Sequence, residues 1–208
     1  ERALSQMPNI LSQATVEELE VWITNRNNAT QNVRDVVAFM DMGEISPYSS
    51  DIQTIGNNTV PDNGANDLYS RLTVNVDYRR NDQIINVLQS GVFDLNASTD
   101  YEKFYARKLN PSEYTLEPNL GYISLNTTLQ PNQVLAVAYK YNYNGQVYQV
   151  GELSRNVPPD SSSVPKVLYL KLLKSTTQSP RLPTWDLMMK NVYSLGAFQI
   201  SPDDFRLD

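Results

Sequence analysis

The sequence contains no cysteine and no histidine. Without cysteine no disulfide holds the fold, and cysteine usage says nothing about compartment. The double absence also removes Ser-His-Asp and Cys-His nucleophilic machinery, histidine general bases, and the usual zinc, copper and iron ligands. A reaction would have to run on carboxylates, lysine or tyrosine alone. Long hydrophobic runs are missing too. No stretch of about 18 apolar residues occurs, so no transmembrane helix is expected, and no signal peptide is visible. Positive charge is scarce: 17 Lys and Arg stand against 23 Asp and Glu, a net charge of −6 with a pI near 4.7. That balance argues against nucleic acid, whose phosphates need a basic stripe, and against an anionic membrane surface.

What is present reads as β structure. The chain has 208 residues, 40% of them apolar, enough for one domain or two small ones with a sizeable core. Residues 111–153 read as four strands in two consecutive hairpins. From Val134 to Tyr143, Leu135, Val137, Tyr139, Tyr141 and Tyr143 alternate with Val134, Ala136, Ala138, Lys140 and Asn142, the two-residue period of a strand. Asn144-Gly145 follows. Both residues tolerate the positive φ of a two-residue type I′ turn, which pairs Tyr141 with Tyr148 and Tyr139 with Val150. Upstream, Tyr114-Thr-Leu and Tyr122-Ile-Ser-Leu flank a Pro/Asn/Gly turn at residues 117–121.

The rest of the chain is less regular. Residues 1–19 read as a linker or short helix, and 20–208 as a single β-rich domain. Strands are expected at 20–24, at 33–42 and at 166–173. Val36 to Met40 is apolar on both faces, as in a central strand. Residues 44–66 have the composition of a long mobile loop. Short helices are expected at 66–72 with Asn66 or Asp67 as cap, at 81–89 with Asn81 or Asp82 as cap, at 99–108, and at 185–190 behind Thr184. Residues 73–78 alternate like a strand, and 191–200 return to apolar alternation.

Each candidate site has a plainer reading beside it. Asp94 to Asp100 spaces oxygen ligands as calcium loops do, but Thr99 and Tyr105 occupy the positions where such a loop needs Gly and Glu. A solvated turn with Asx caps is the simpler account. Ser163 and Lys166 match a Ser-x-x-Lys string, yet Pro165 between them opposes the helix that string requires. Asp41 with Glu44, and Asp203 with Asp204, are the closest acidic pairs that could serve glycoside hydrolysis; surface charge explains them as well. The thirteen tyrosines with Trp22 and Trp185 suit either a stacking platform for sugars or cross-strand pairs and a sandwich core. Asn28, Asn57, Asn96 and Asn126 match the N-glycosylation pattern, a chance match in an Asn-rich chain.

Several strings resemble one family. They include VWITNR at 21–26, VRDVVAFMDMGE at 33–44, ARKLNPSEY at 106–114, LGYISLN at 120–126, NGQVYQVGE at 144–152, LKLLKS at 170–175 and WDLMMKNVYS at 185–194. In order and over most of residues 20–207, these are similar to the SprA/Sov family of Bacteroidota. That family is a very large outer-membrane protein, the translocon of the type 9 secretion system, also needed for gliding motility. The resemblance implies a soluble accessory domain of the translocon, outside the lipid-facing barrel wall and cut from a larger protein. Short strands and long Pro-rich loops agree with that placement, since a barrel wall would show evenly spaced strands of about ten residues.

The sequence therefore predicts an α+β, mainly β fold, with antiparallel sandwich-like sheets and a few short helices. The expected function is non-catalytic, shaping the pore or docking partners at the outer membrane or cell surface, or on its periplasmic side. Expected partners are outer-membrane and periplasmic secretion proteins and secreted cargo, with membrane contact only through the parent barrel. No cofactor, metal or catalytic residue is expected, and no binding residue is assigned. A glycan-binding or adhesin-type β sandwich is the alternative.

Overall fold

A computed structural model of the chain describes residues 12–26, 28–158 and 164–189. The strands are β1 (Ala14–Thr24), β2 (Val33–Phe39), β3 (Tyr101–Lys108), β4 (Tyr114–Glu117), β5 (Tyr122–Leu125), β6 (Leu135–Tyr143), β7 (Gln146–Val150) and β8 (Leu168–Lys174). Two short helices, α1 (Leu68–Thr73) and α2 (Ile84–Gln89), lie between β2 and β3. The mainly β class with short helices is the one the sequence predicts.

The layered core comes from one sheet that closes on itself. Its order is β1-β3-β2-β8-β6-β7, and β1 also pairs with β6. β1 is antiparallel to β3 over Trp22–Thr24 and to β6 over Ala14–Ile23. Five strands thus form a small barrel, with β7 added outside on β6. β2 and β8 run parallel; the other pairs are antiparallel. A five-stranded ring leaves little interior room, and the inward positions are small: Ala38, Ala106, Ala136 and Ala138 are fully buried. Trp22, Val36, Leu170 and Leu172 fill the remainder. The alternation of Val134–Tyr143 is thereby explained, with Ala136 and Ala138 inside and Leu135, Val137 and Tyr139 outside.

Two covers close the outer faces. Leu68 and Leu72 of α1, and Ile84 and Leu88 of α2, each one turn apart, pack on Val37, Phe39 and Tyr169. Six-residue helices are marginal alone and persist through this packing. The β4–β5 hairpin lies over Val21, Ile23, Leu135 and Val137 with Ile123 and Leu125. Both hairpins of residues 111–153 form as expected, with Tyr141 opposite Tyr148 and Tyr139 opposite Val150. Asn144 and Gly145 have φ of 52° and 80°, as the type I′ turn requires.

Five expectations need correction. Residues 101–108 are β3 and not helix: Phe104 and Ala106 face the barrel interior while Tyr101 packs outside under the helices, so tertiary pairing with β2 overrides the apparent helical spacing. β1 starts at Ala14, inside the segment expected to be linker, because β6 offers it an edge as far as Tyr143. Residues 76–79 are a 3-10 turn capped by the Asn75 side chain, not strand. α2 starts behind Gln83, and no side chain caps it. A 3-10 turn at Pro183–Trp185 behind Leu182 replaces the helix expected after Thr184. The expectations for 191–200, for the chain end and for Asp203 and Asp204 lie outside the described residues, as does Ser163. The 44–66 loop is pinned. Asn66 Nδ2 donates to the carbonyls of Asp41 and Glu44, 2.8 Å each, and Ile52 and Ala65 are buried.

Candidate functional site

A groove lies where the two covers fail to meet. It encloses about 1090 Å³, open to solvent, between the outer face of β1 and β6 and the β4–β5 hairpin. Its floor is the outward row of β6, Leu135, Val137, Tyr139 and Tyr141, continued by Val16 and Leu19 of β1. These residues share a face because strand side chains alternate, with a bulge between Val16 and Glu18 resetting the register. The hairpin forms one wall, Met42 and Pro61 the other, and Leu187, Met188 and Met189 close part of the rim. The hairpin tip is fixed by a bond from Val16 N to the Pro118 carbonyl, 3.0 Å. Its base is fixed by the two bonds of Arg107 to Glu113, 2.8 and 2.9 Å.

Glu44, Lys171 and Lys174 are the charged residues among the described lining. Lys171 is buried, pairs with Glu44, and donates to the Met40 carbonyl. Burial pulls its pKa below the ordinary lysine value, against the pull of Glu44. Lys174 Nζ donates to the carbonyls of Pro131 and Gln133, 2.7 and 2.8 Å. Burial lowers its pKa as well. In a chain of net charge −6, the groove thus carries one ion pair and one further cation.

The residues singled out from sequence fall elsewhere or into structural work. The Asp41 carboxylate accepts from Tyr48 N and Ser49 N, 2.8 and 2.9 Å, and burial raises its pKa. Glu44 is held by Lys171. Each carboxylate of that pair is thereby engaged in holding the loop and the barrel rim. Asp94 is exposed, while Asp100 accepts from Asn96 N at 2.7 Å; the segment is the Asx-capped turn of the plainer reading. Among the described residues no group of three acidic side chains could hold a metal ion. Lys166 lies in a bridge opposite Arg80, and its carbonyl accepts from Arg34. Asn28, Asn57, Asn96 and Asn126 are all exposed. Trp22, Tyr101 and Tyr169 are buried, Tyr141 stacks on Tyr148, and Tyr139 meets Tyr141 tilted at 39°. The exposed tyrosines Tyr48 and Tyr105 sit on the 44–66 loop and on β3, and among the described residues no ring contact joins either of them to that group.

Two buried charge clusters escaped the sequence reading. Glu20 accepts from Trp22 Nε1, Lys108, and the N–H and hydroxyl of Ser154, at 2.7–3.3 Å, at one mouth of the barrel. Glu152 pairs with Arg79 through both carboxylate oxygens and accepts from Tyr69 and from Tyr169 N, each at 3.0 Å. No spacing in the sequence joins these residues; only the folded sheet does. The same holds for the groove, whose walls come from segments far apart in the chain. The chain matches no family model and no curated protein.

Proposed function

We propose that this chain is a non-catalytic domain of an outer-membrane protein-secretion translocon, and that it docks a protein partner through the groove beneath the β4–β5 hairpin. The groove itself carries the reading. It is a solvent-open, mainly apolar groove between the β1–β6 face and the hairpin that partly covers it, and open apolar surface of this kind marks interaction sites. Glu44 and Lys171 beside it are engaged with each other in holding the frame. The assignment to a type 9 translocon, at the outer membrane with outer-membrane or periplasmic partners, is supported by the matching strings across residues 21–194.

The test uses the intact parent protein with residues 20–200 deleted. The deleted parent is expected to insert in the membrane while losing one defined secretion-system partner on affinity purification. An unchanged partner list with unchanged secretion of cargo would contradict docking.

A further inference from the structure

We infer that the outer edge of β5 is a strand-addition site. Its occupant is an extended segment of a partner protein, with apolar side chains at alternate positions and an acidic residue at the Lys174 end. This rests on the docking reading and specifies what docks.

The backbone edge is identified by parity. β6 meets the groove with every second residue, so it presents a face. β5 meets it with all four consecutive residues, Tyr122, Ile123, Ser124 and Leu125. Side chains of one strand point alternately to opposite faces. A strand that lines a cavity with both parities therefore turns its edge towards it. On the far side β5 pairs with β4 over those four residues. On the groove side its N–H and C=O groups have no hydrogen-bond partner among the described residues. Natural edges are usually blocked by lysine, proline or a bulge. β5 contains none of these and is flanked by apolar floor. A third strand laid on it would satisfy the open backbone groups and set alternate side chains into the groove towards Tyr139, with the other side chains towards solvent.

The charge fixes one end. Leu135 is opposite Lys174 and Tyr141 is opposite Val16, so the floor runs from Lys174 to the hairpin tip. Leu125 clusters with Leu129 and Leu173 at the Lys174 end. Lys171 already has its carboxylate in Glu44. Lys174 binds only carbonyls among the described residues, so an acidic residue of the incoming strand complements it.

The full chain is titrated by fluorescence anisotropy with pools of hexapeptides. Valine, isoleucine or leucine alternate with serine or threonine, and aspartate stands at either end. Two further pools carry N-methyl groups on alternate amides, one pool in each register. Methylation in the register facing β5 is expected to weaken binding about tenfold or more, while the other register is tolerated. Replacing the terminal aspartate by lysine is expected to weaken it again. Equal affinity in both methylation registers overturns strand addition and leaves docking through the apolar floor standing. No binding by any pool overturns it outright. A chain found by sedimentation to be dimeric through this edge, and therefore closed to the peptides, does so too.

Discussion

Replacement of Glu152 by alanine is expected to destabilise the fold by about 3–5 kcal/mol, the cost of stranding one partner of a buried ion pair. Glu152 is 2% exposed. Its loss leaves the Arg79 guanidinium buried over the Tyr169 ring, at 4.4 Å, without a counter-charge. It also leaves Tyr169 N and the Tyr69 hydroxyl without their acceptor. Urea unfolding should show a lower midpoint at unchanged slope. The double replacement Arg79→Met with Glu152→Leu should recover most of the loss, since the desolvation of both charges disappears with them. A single-variant cost below about 1 kcal/mol would place the pair among weak surface bridges and contradict its role in locking α1 and β8 together. A titration follows from the same cluster. Burial, with the charge of Glu152 beside it, pushes the Tyr69 phenol up to about 12. A raised folded pKa favours the protonated form. That contribution is therefore complete below the unfolded value near 10 and is lost as pH rises through about 12. In Glu152→Gln the phenol should titrate lower.

Trp22→Ala is expected to cost about 3–5 kcal/mol, as for other large buried aromatics. At this chain length that lowers the melting temperature by roughly 6–20 °C. Trp22 is 2% exposed and sits on the strand that closes the barrel, opposite Ala136 on one side and Lys108 on the other. Its neighbour across the β6 ladder and much of the interior are alanines, with Val36, Leu170 and Leu172 already packed in place, so little can move into the space left behind. Val74→Ala serves as the control. Val74 is 78% exposed, and its replacement should stay within about 0.5 kcal/mol. Calorimetry decides the matter. Equal melting temperatures for the two variants would mean that Trp22 does not hold the barrel closed.

Local signals made part of this fold legible. Asn144-Gly145 fixed the β6–β7 register because a type I′ turn leaves little choice, and the apolar run at 36–40 announced a strand flanked on both sides. Closure of the sheet was not legible, since it depends on β1 using both of its edges, and edge use has no sequence period. β3 was hidden for a related reason. Its aromatics fall at helical spacing by chance, and the partner that makes them strand residues, β2, lies far upstream. The tyrosines suit either core or platform in the sequence, and burial puts Tyr101 and Tyr169 in the core. The groove was invisible because it is a gap between two covers. Its one trace in the sequence is Tyr-Ile-Ser-Leu at 122–125, a strand with no lysine or proline on its edge.

Site-specific photo-crosslinking in the intact parent protein tests docking through the groove most directly. A photoreactive residue is placed at Ser124 on the β5 edge, at Leu187 on the rim, or at Val74 on the far surface. Docking through the groove predicts that Ser124 and Leu187 crosslink to the same secretion-system protein, at adjacent positions of one segment, and that Val74 does not. Crosslinks at Ser124 and Leu187 that match those at Val74, or that form only to lipid or glycan, would contradict it.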